Sequence, residues 1–303
     1  MSLTPPPPAT SATPATSLPP AASTASTTPV TPVTPVTPAG AMDTGPAALP
    51  TIHVDGLPFV ATTVPVLTAH IVDEATAGRG GWVVTPNIDI LRRWRLEPAF
   101  RALVADATVF TADGRPIVWA SQLQGTPLPT RLTGSDLFNA LMGAAAAAGL
   151  RIALIGGNEG AAEAAAARLI PEAVAAGRVR CLCPPFGFEQ QPQEMARIET
   201  LLTGWQPHIV FIGLGSPKQE KLAARLRPLA PRAWYLGVGV SFSFVAGDVK
   251  RAPGWMQRSG LEWVHRLTQE PGRLARRYLV DGIPFAAGLL WRSATRRGRS
   301  SAV

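Results

Sequence analysis

The sequence predicts an α/β fold: a Rossmann-like, mostly parallel sheet with helices on both faces, plus a C-terminal helical appendage. Three observations carry this. Short β-branched apolar runs alternate with helix-forming stretches between about residues 81 and 240. Glycine-rich turns join several of these runs to the next helix, as in Gly156-Gly157 and Gly213-Leu214-Gly215. Hydrophobic residues make up 46% of the 303 residues, enough for a sizeable core.

Residues 1–48 are a Pro/Thr/Ala/Ser tract with no charged side chain before Asp43 and a Thr-Pro-Val repeat from Thr28 to Pro38. Such a segment buries too little apolar surface to offset its chain entropy, so a disordered, polyproline-like tail is expected. A docking role for the repeat is the alternative, and Met42 is an alternative start. From Ile52 the pattern is globular. Residues 81–84 read as a strand leading through Thr85-Pro86-Asn87 into a helix over 88–94. Residues 100–105 read as helical, 108–111 as extended, and Asp113-Gly114 as a turn opening a helix over 117–123. Thr133-Gly134-Ser135 is an N-cap signal for a long alanine-rich helix over 136–148. Strand 151–155, helix 160–169, the strand–helix pair over 209–226 and a strand over 234–240 complete a domain spanning 49–255. Residues 256–303 change character: Trp, Leu and Tyr interleave with Arg, Pro271 interrupts, and 283–291 is apolar before a basic tail. That pattern suits an amphipathic surface on anionic lipid; an ordinary packed helix pair with solvated arginines is the alternative.

Composition narrows the function classes. Net charge is +8, concentrated in the C-terminal arginines, which favours a phosphorylated or anionic-lipid partner over nucleic acid. No apolar run is long enough to span a bilayer, and no secretory leader is expected. The two cysteines, Cys181 and Cys183, make no disulfide framework and suggest a reducing compartment. They have no neighbouring histidine, the four histidines show no ligand spacing, and no Asp-x-Asp motif exists, so neither metal nor cofactor is expected.

The segment Val210-Phe211-Ile212-Gly213-Leu214-Gly215-Ser216-Pro217-Lys218-Gln219-Glu220 reads as strand, tight loop and helix mouth, where N–H groups favour a phosphate. In parallel sheets ligands lie beyond the carboxyl ends of strands, where Thr85, Asp113, Gly156 and Gly213 fall. Asp113 is the best candidate for a general base, with a turn or cap role as the plain alternative. Thr85 and Asn87 stand at the lip of the adjoining strand, to hydrogen-bond a bound ligand or simply to cap the helix. Arg131 is placed to pair with a phosphate or another acidic group, while Lys218 and Glu220 are expected to form a local ion pair.

Thr85-Pro86-Asn87, Ala112-Asp113-Gly114, Arg131 to Asp136, Gly213 to Glu220, Gly237-Val238-Gly239 and Lys250-Arg251-Ala252-Pro253 through Trp263 occur in an order and spacing that resembles the WecG/TagA/CpsF family of bacterial glycosyltransferases, over about residues 50–285. The resemblance implies metal-independent, inverting transfer of a hexose-type sugar from a UDP-sugar donor to a polyprenyl-diphosphate-linked acceptor. The sugars of the family are N-acetylmannosamine, its uronic acid, and glucose in exopolysaccharide assembly. It implies Asp113 as catalytic residue with Thr85, Gln219 and Arg131. Asn87, Gly213, Gly215, Ser216, Gly237 and Gly239 would bind substrate, and Arg266, Arg273 and Arg276 of the appendage would close over the diphosphate. It also implies an enzyme peripheral on the cytoplasmic face of the membrane, with homo-oligomers permitted. One departure bears on the donor: Ser243 stands where many members carry aspartate. The rival readings are a nicotinamide-dependent oxidoreductase, for which neither glycine turn completes Gly-x-Gly-x-x-Gly, and a non-catalytic basic scaffold.

Overall fold

A computed structural model describes residues 49–300, without the side chains of Arg258, Arg273 and residues 297–300. The expected Pro/Thr tail and Met42 lie outside the described residues. The described residues open on an antiparallel hairpin, β1 (Thr51–Val54) and β2 (Leu57–Val60), which the sequence reading did not anticipate. Its turn is Asp55-Gly56, with φ of 54° and 94°. A two-residue hairpin turn needs φ above zero at both centres, and Asp-Gly supplies it.

Six strands then form one parallel sheet: β3 (Gly81–Val84), β4 (Val109–Phe110), β5 (Ile152–Gly156), β6 (Val179–Leu182), β7 (Ile209–Gly213) and β8 (Trp234–Gly237). Their spatial order is β4-β3-β8-β7-β5-β6. Alternate residues feed two separate cores, as strand geometry requires. Val210 and Ile212 of β7 join Ile155 and Tyr235 on one face; Ile209 and Phe211 join Leu154 and Trp234 on the other. The central strands β5 and β7 are buried along their whole length, which is why they read as continuous apolar runs.

Residues 254–300 are mostly helical: Gly254–Ser259, Glu262–Gln269, Pro271–Ala275, a π-helical stretch Arg276–Gly282, and Ile283–Ser300. As expected, Pro271 interrupts the helical run: one helix ends at Gln269, Glu270 is non-helical, and the next helix starts at Pro271, where the missing N–H costs nothing. The segment is packed on the core through buried Leu274 and Leu289, and the last helix lies against the helix Arg115–Leu123. Arg292 meets buried Asp55 through Nε at 3.1 Å and Nη2 at 2.9 Å, and Arg95 reaches the same carboxylate at 2.7 Å. Outward, the segment exposes Trp255, Leu279, Val280, Ile283 and Trp291, with Val280 at 64% and Trp291 at 73%. Among the described residues no helix is long and apolar enough to cross a membrane.

Candidate active site

The loops at the carboxyl ends of β3, β4, β5, β7 and β8 and the appendage helices enclose a cavity of about 700 Å³. Thr85, Asn87, Asp113, Arg131, Gly213, Gly215, Ser216, Gln219, Gly239 and Arg266 all line it. Gly237 does not line it but backs it. Arg276 is exposed and absent from the lining, and the Arg273 side chain lies outside the described residues. In place of Arg276 the cavity receives Arg277, whose Nη2 pairs with Asp89 at 2.8 Å. The family resemblance places Arg276 here, by motif position; in the π-helical stretch Arg276–Gly282 it is the next residue, Arg277, that faces the cavity.

Asp113 sits just beyond β4. Its N–H donates to Pro86 O at 3.0 Å, and its Oδ2 accepts from Gly134 N–H at 3.2 Å. Gly134 opens the helix Gly134–Ala147, whose cap is Thr133, accepting from Asp136 N–H at 3.0 Å. The carboxylate is thus held at a helix N-terminus. Burial nevertheless pushes its pKa up from 3.8 to about 6, against the lowering effects of the Gly134 bond and Arg131. That value suits a group that must be ionised yet accept a proton near neutral pH.

Thr85 is buried and donates to Gly237 O at 3.3 Å. Asn87 caps the helix Ile88–Leu96 by accepting from Asp89 N–H at 3.0 Å and Ile90 N–H at 3.1 Å, leaving its amide nitrogen for the cavity. The β7 loop turns at Gly215, φ 73°, and a Cβ on Gly213 would lie 2.7 Å from the Phe242 ring. Ser216 Oγ is buried, and its hydroxyl acts on the Glu220 carboxylate, opposing the rise of its pKa. Lys218 does not pair with Glu220: it reaches Glu189 at 2.8 Å, while Glu220 is buried and accepts from Gln219 Nε2 at 3.0 Å. Lys218 and Glu220 stand two positions apart, on opposite sides of the helix, so the ion pair expected from sequence had no geometry to form in.

Two further cavity residues escaped the sequence reading. Arg251 pairs with Asp136 at 2.8 Å and with Glu262 at 3.5 Å, and Glu262 also holds Arg131 at 3.0 Å. These side chains join the appendage to the rim of the sheet. Arg251 stood in the Lys250-Arg251-Ala252-Pro253 segment, but nothing in the one-dimensional pattern aimed it inward. Arg131, Arg251, Arg266 and Arg277 give the cavity positive charge suited to a diphosphate. Among the described residues no group of three or more His, Cys, Asp or Glu could hold a metal ion.

The model of the glycosyl transferase WecG/TagA/CpsF family matches residues 52–299. A protein of Bacillus spizizenii named N-acetylglucosaminyldiphosphoundecaprenol N-acetyl-beta-D-mannosaminyltransferase is 31% identical over 236 residues, covering 75% of this chain and 86% of that protein. A Bacillus subtilis protein of the same name is 29% identical over 230 residues, with the same coverage of 75% and 86%. These matches set the oxidoreductase and scaffold readings aside. By the breadth of the family match and the motifs gathered around one cavity, this chain is a glycosyltransferase that belongs to the WecG/TagA/CpsF family.

Proposed function

We propose that the chain transfers an N-acetylmannosaminyl residue from a UDP-linked donor to a saccharide carried on a polyprenyl diphosphate, with inversion. In this reading the ionised Asp113 carboxylate takes the proton of the acceptor hydroxyl. The hydroxyl oxygen attacks the anomeric carbon on the face opposite the leaving group. The carbon–oxygen bond to the diphosphate breaks, and the electron pair leaves with UDP. The arginines then stabilise the departing charge. The observation that carries the reading is Asp113, its pKa raised to about 6, in a cavity lined by Arg131, Arg251, Arg266 and Arg277. Names of the two relatives support the sugar and the lipid carrier.

Residues 256–303 serve in this reading as a membrane-associating appendage on the inner leaflet, supported by the exposed Trp255, Val280 and Trp291 beside the cavity helices. The test is release of UDP from UDP-N-acetylmannosamine, its uronic acid and UDP-glucose, each with a short-chain N-acetylglucosaminyl diphosphate lipid. Turnover with the first donor well above the others supports the proposal; preference for the uronic acid or glucose would replace the sugar, and no turnover with any donor would refute it.

A further inference from the structure

Gln219 lies in the first turn of the helix Lys218–Leu226, borders the cavity and is 4% exposed. Its amide is held at both ends. Oε1 accepts from Gly239 N–H at 3.0 Å, and Nε2 donates to Glu220 Oε1 at 3.0 Å. Behind it Gly237 has no room for a Cβ, which would lie 2.5 Å from Nε2. The oxygen and nitrogen of an amide are close to isosteric, so packing alone does not choose between the two orientations. Turned over, Oε1 would oppose the Glu220 oxygen, and Nε2 would oppose the Gly239 N–H. Both contacts therefore select the same orientation, and the second Nε2–H is the group left for a ligand.

Glu220 has no part in the roles assigned above. It is 2% exposed, and its Oε2 accepts no close hydrogen bond, the buried Ser216 hydroxyl being the nearby donor that acts on this carboxylate. Burial pushes its pKa up, with Gln219, Ser216 and Arg93 opposing. An acidic side chain buried this incompletely satisfied is costly. We propose that Glu220 is a positioning residue that fixes Gln219 as an N–H donor toward an oxygen of the sugar-diphosphate donor. The assignment rests on the proposed glycosyltransferase reaction.

Hydrogen exchange of the Gln219 side-chain amide in ¹⁵N-labelled wild type tests the geometry without any variant. One slowly exchanging Nε2 proton is expected; two protons exchanging at the free rate would overturn the proposal. Kinetics then test the role. Glu220→Gln keeps an acceptor opposite Nε2 and should hold kcat within about threefold, whereas Glu220→Leu should lower it roughly 5- to 100-fold, with the acceptor KM unchanged. In a Gln219→Leu background, Glu220→Leu should add no further loss. Additive losses, or a folded Glu220→Leu chain with wild-type kcat, would refute the assignment. A wild type that transfers no sugar would sink the proposed reaction instead, and the exchange experiment would still decide what Glu220 does.

Discussion

Asp113→Asn should move activity and stability in opposite directions. The rise of the Asp113 pKa from 3.8 to about 6 means that the folded chain holds a proton the unfolded chain has released. Between those two values the native state binds more protons, so stability falls as pH rises through the window and stays lowered above it. The difference corresponds to ~3 kcal/mol once the carboxylate is ionised. Asparagine carries no charge to desolvate and can still accept from Gly134 N–H, so its stability should lack this decline. Denaturant unfolding of both proteins at pH 4.5 and pH 8 captures most of it: between those values the variant should gain about 2 kcal/mol on the wild type, the remainder falling below pH 4.5. Over the same range wild-type kcat/KM should climb to a plateau above about pH 6, while the variant should lose on the order of 10²–10⁴ in rate and keep its UDP affinity. A variant within threefold of wild-type turnover would remove Asp113 from the chemistry. Equal stability of the two proteins at pH 8 would show that burial does not burden the carboxylate, and the argument for a raised pKa would fail.

Gly237→Ala should place a methyl 2.5 Å from Gln219 Nε2, cost about 1–3 kcal/mol and depress turnover; an active variant with unchanged melting would show that the strand end yields. Arg277→Ala should cut turnover on a short soluble acceptor by about 10- to 100-fold while Arg276→Ala changes it little, since only the former side chain borders the cavity. The reverse ranking would mean that the inward face of the π-helical turn has been assigned wrongly. Activity should persist in excess EDTA, because arginines supply the positive charge facing the diphosphate; loss restored by Mg²⁺ would count against that. The double substitution Val280→Asp, Trp291→Ala should release the chain from anionic liposomes and leave soluble-acceptor turnover intact; unchanged binding would exclude that face as the lipid contact.

Much of the sheet was legible. The strand Gly81–Val84 and the unit from Ile209 to Leu226 stand where the apolar runs and glycine turns put them, because central parallel strands must be apolar throughout. The edge strand Val179–Leu182 was not legible: it is only partly buried, and Arg180 and Cys181 dilute its pattern. Asp113 and Gln219 could be placed from the loops that carry them. Arg251, Arg277 and Glu262 could not, because the direction of each depends on contacts across the fold or on a helical turn of unusual width. The hairpin turn Asp55-Gly56 stands between two strands of four residues each, too short for an alternating pattern to mark them.

The contact between Asp55 and Arg292 joins residues 237 positions apart, so it orders events during synthesis. A ribosome that has delivered the whole sheet has not yet released the arginine that completes the coordination of the hairpin carboxylate. Until it does, Asp55 has Arg95 alone, and Leu289 is missing from the core beneath. Domains consolidate from the N-terminus as they emerge, yet here the first described element waits for the last described helix. Translation that stops short of residue 289 therefore leaves a product whose opening hairpin is the exposed weak point, and proteases should enter there.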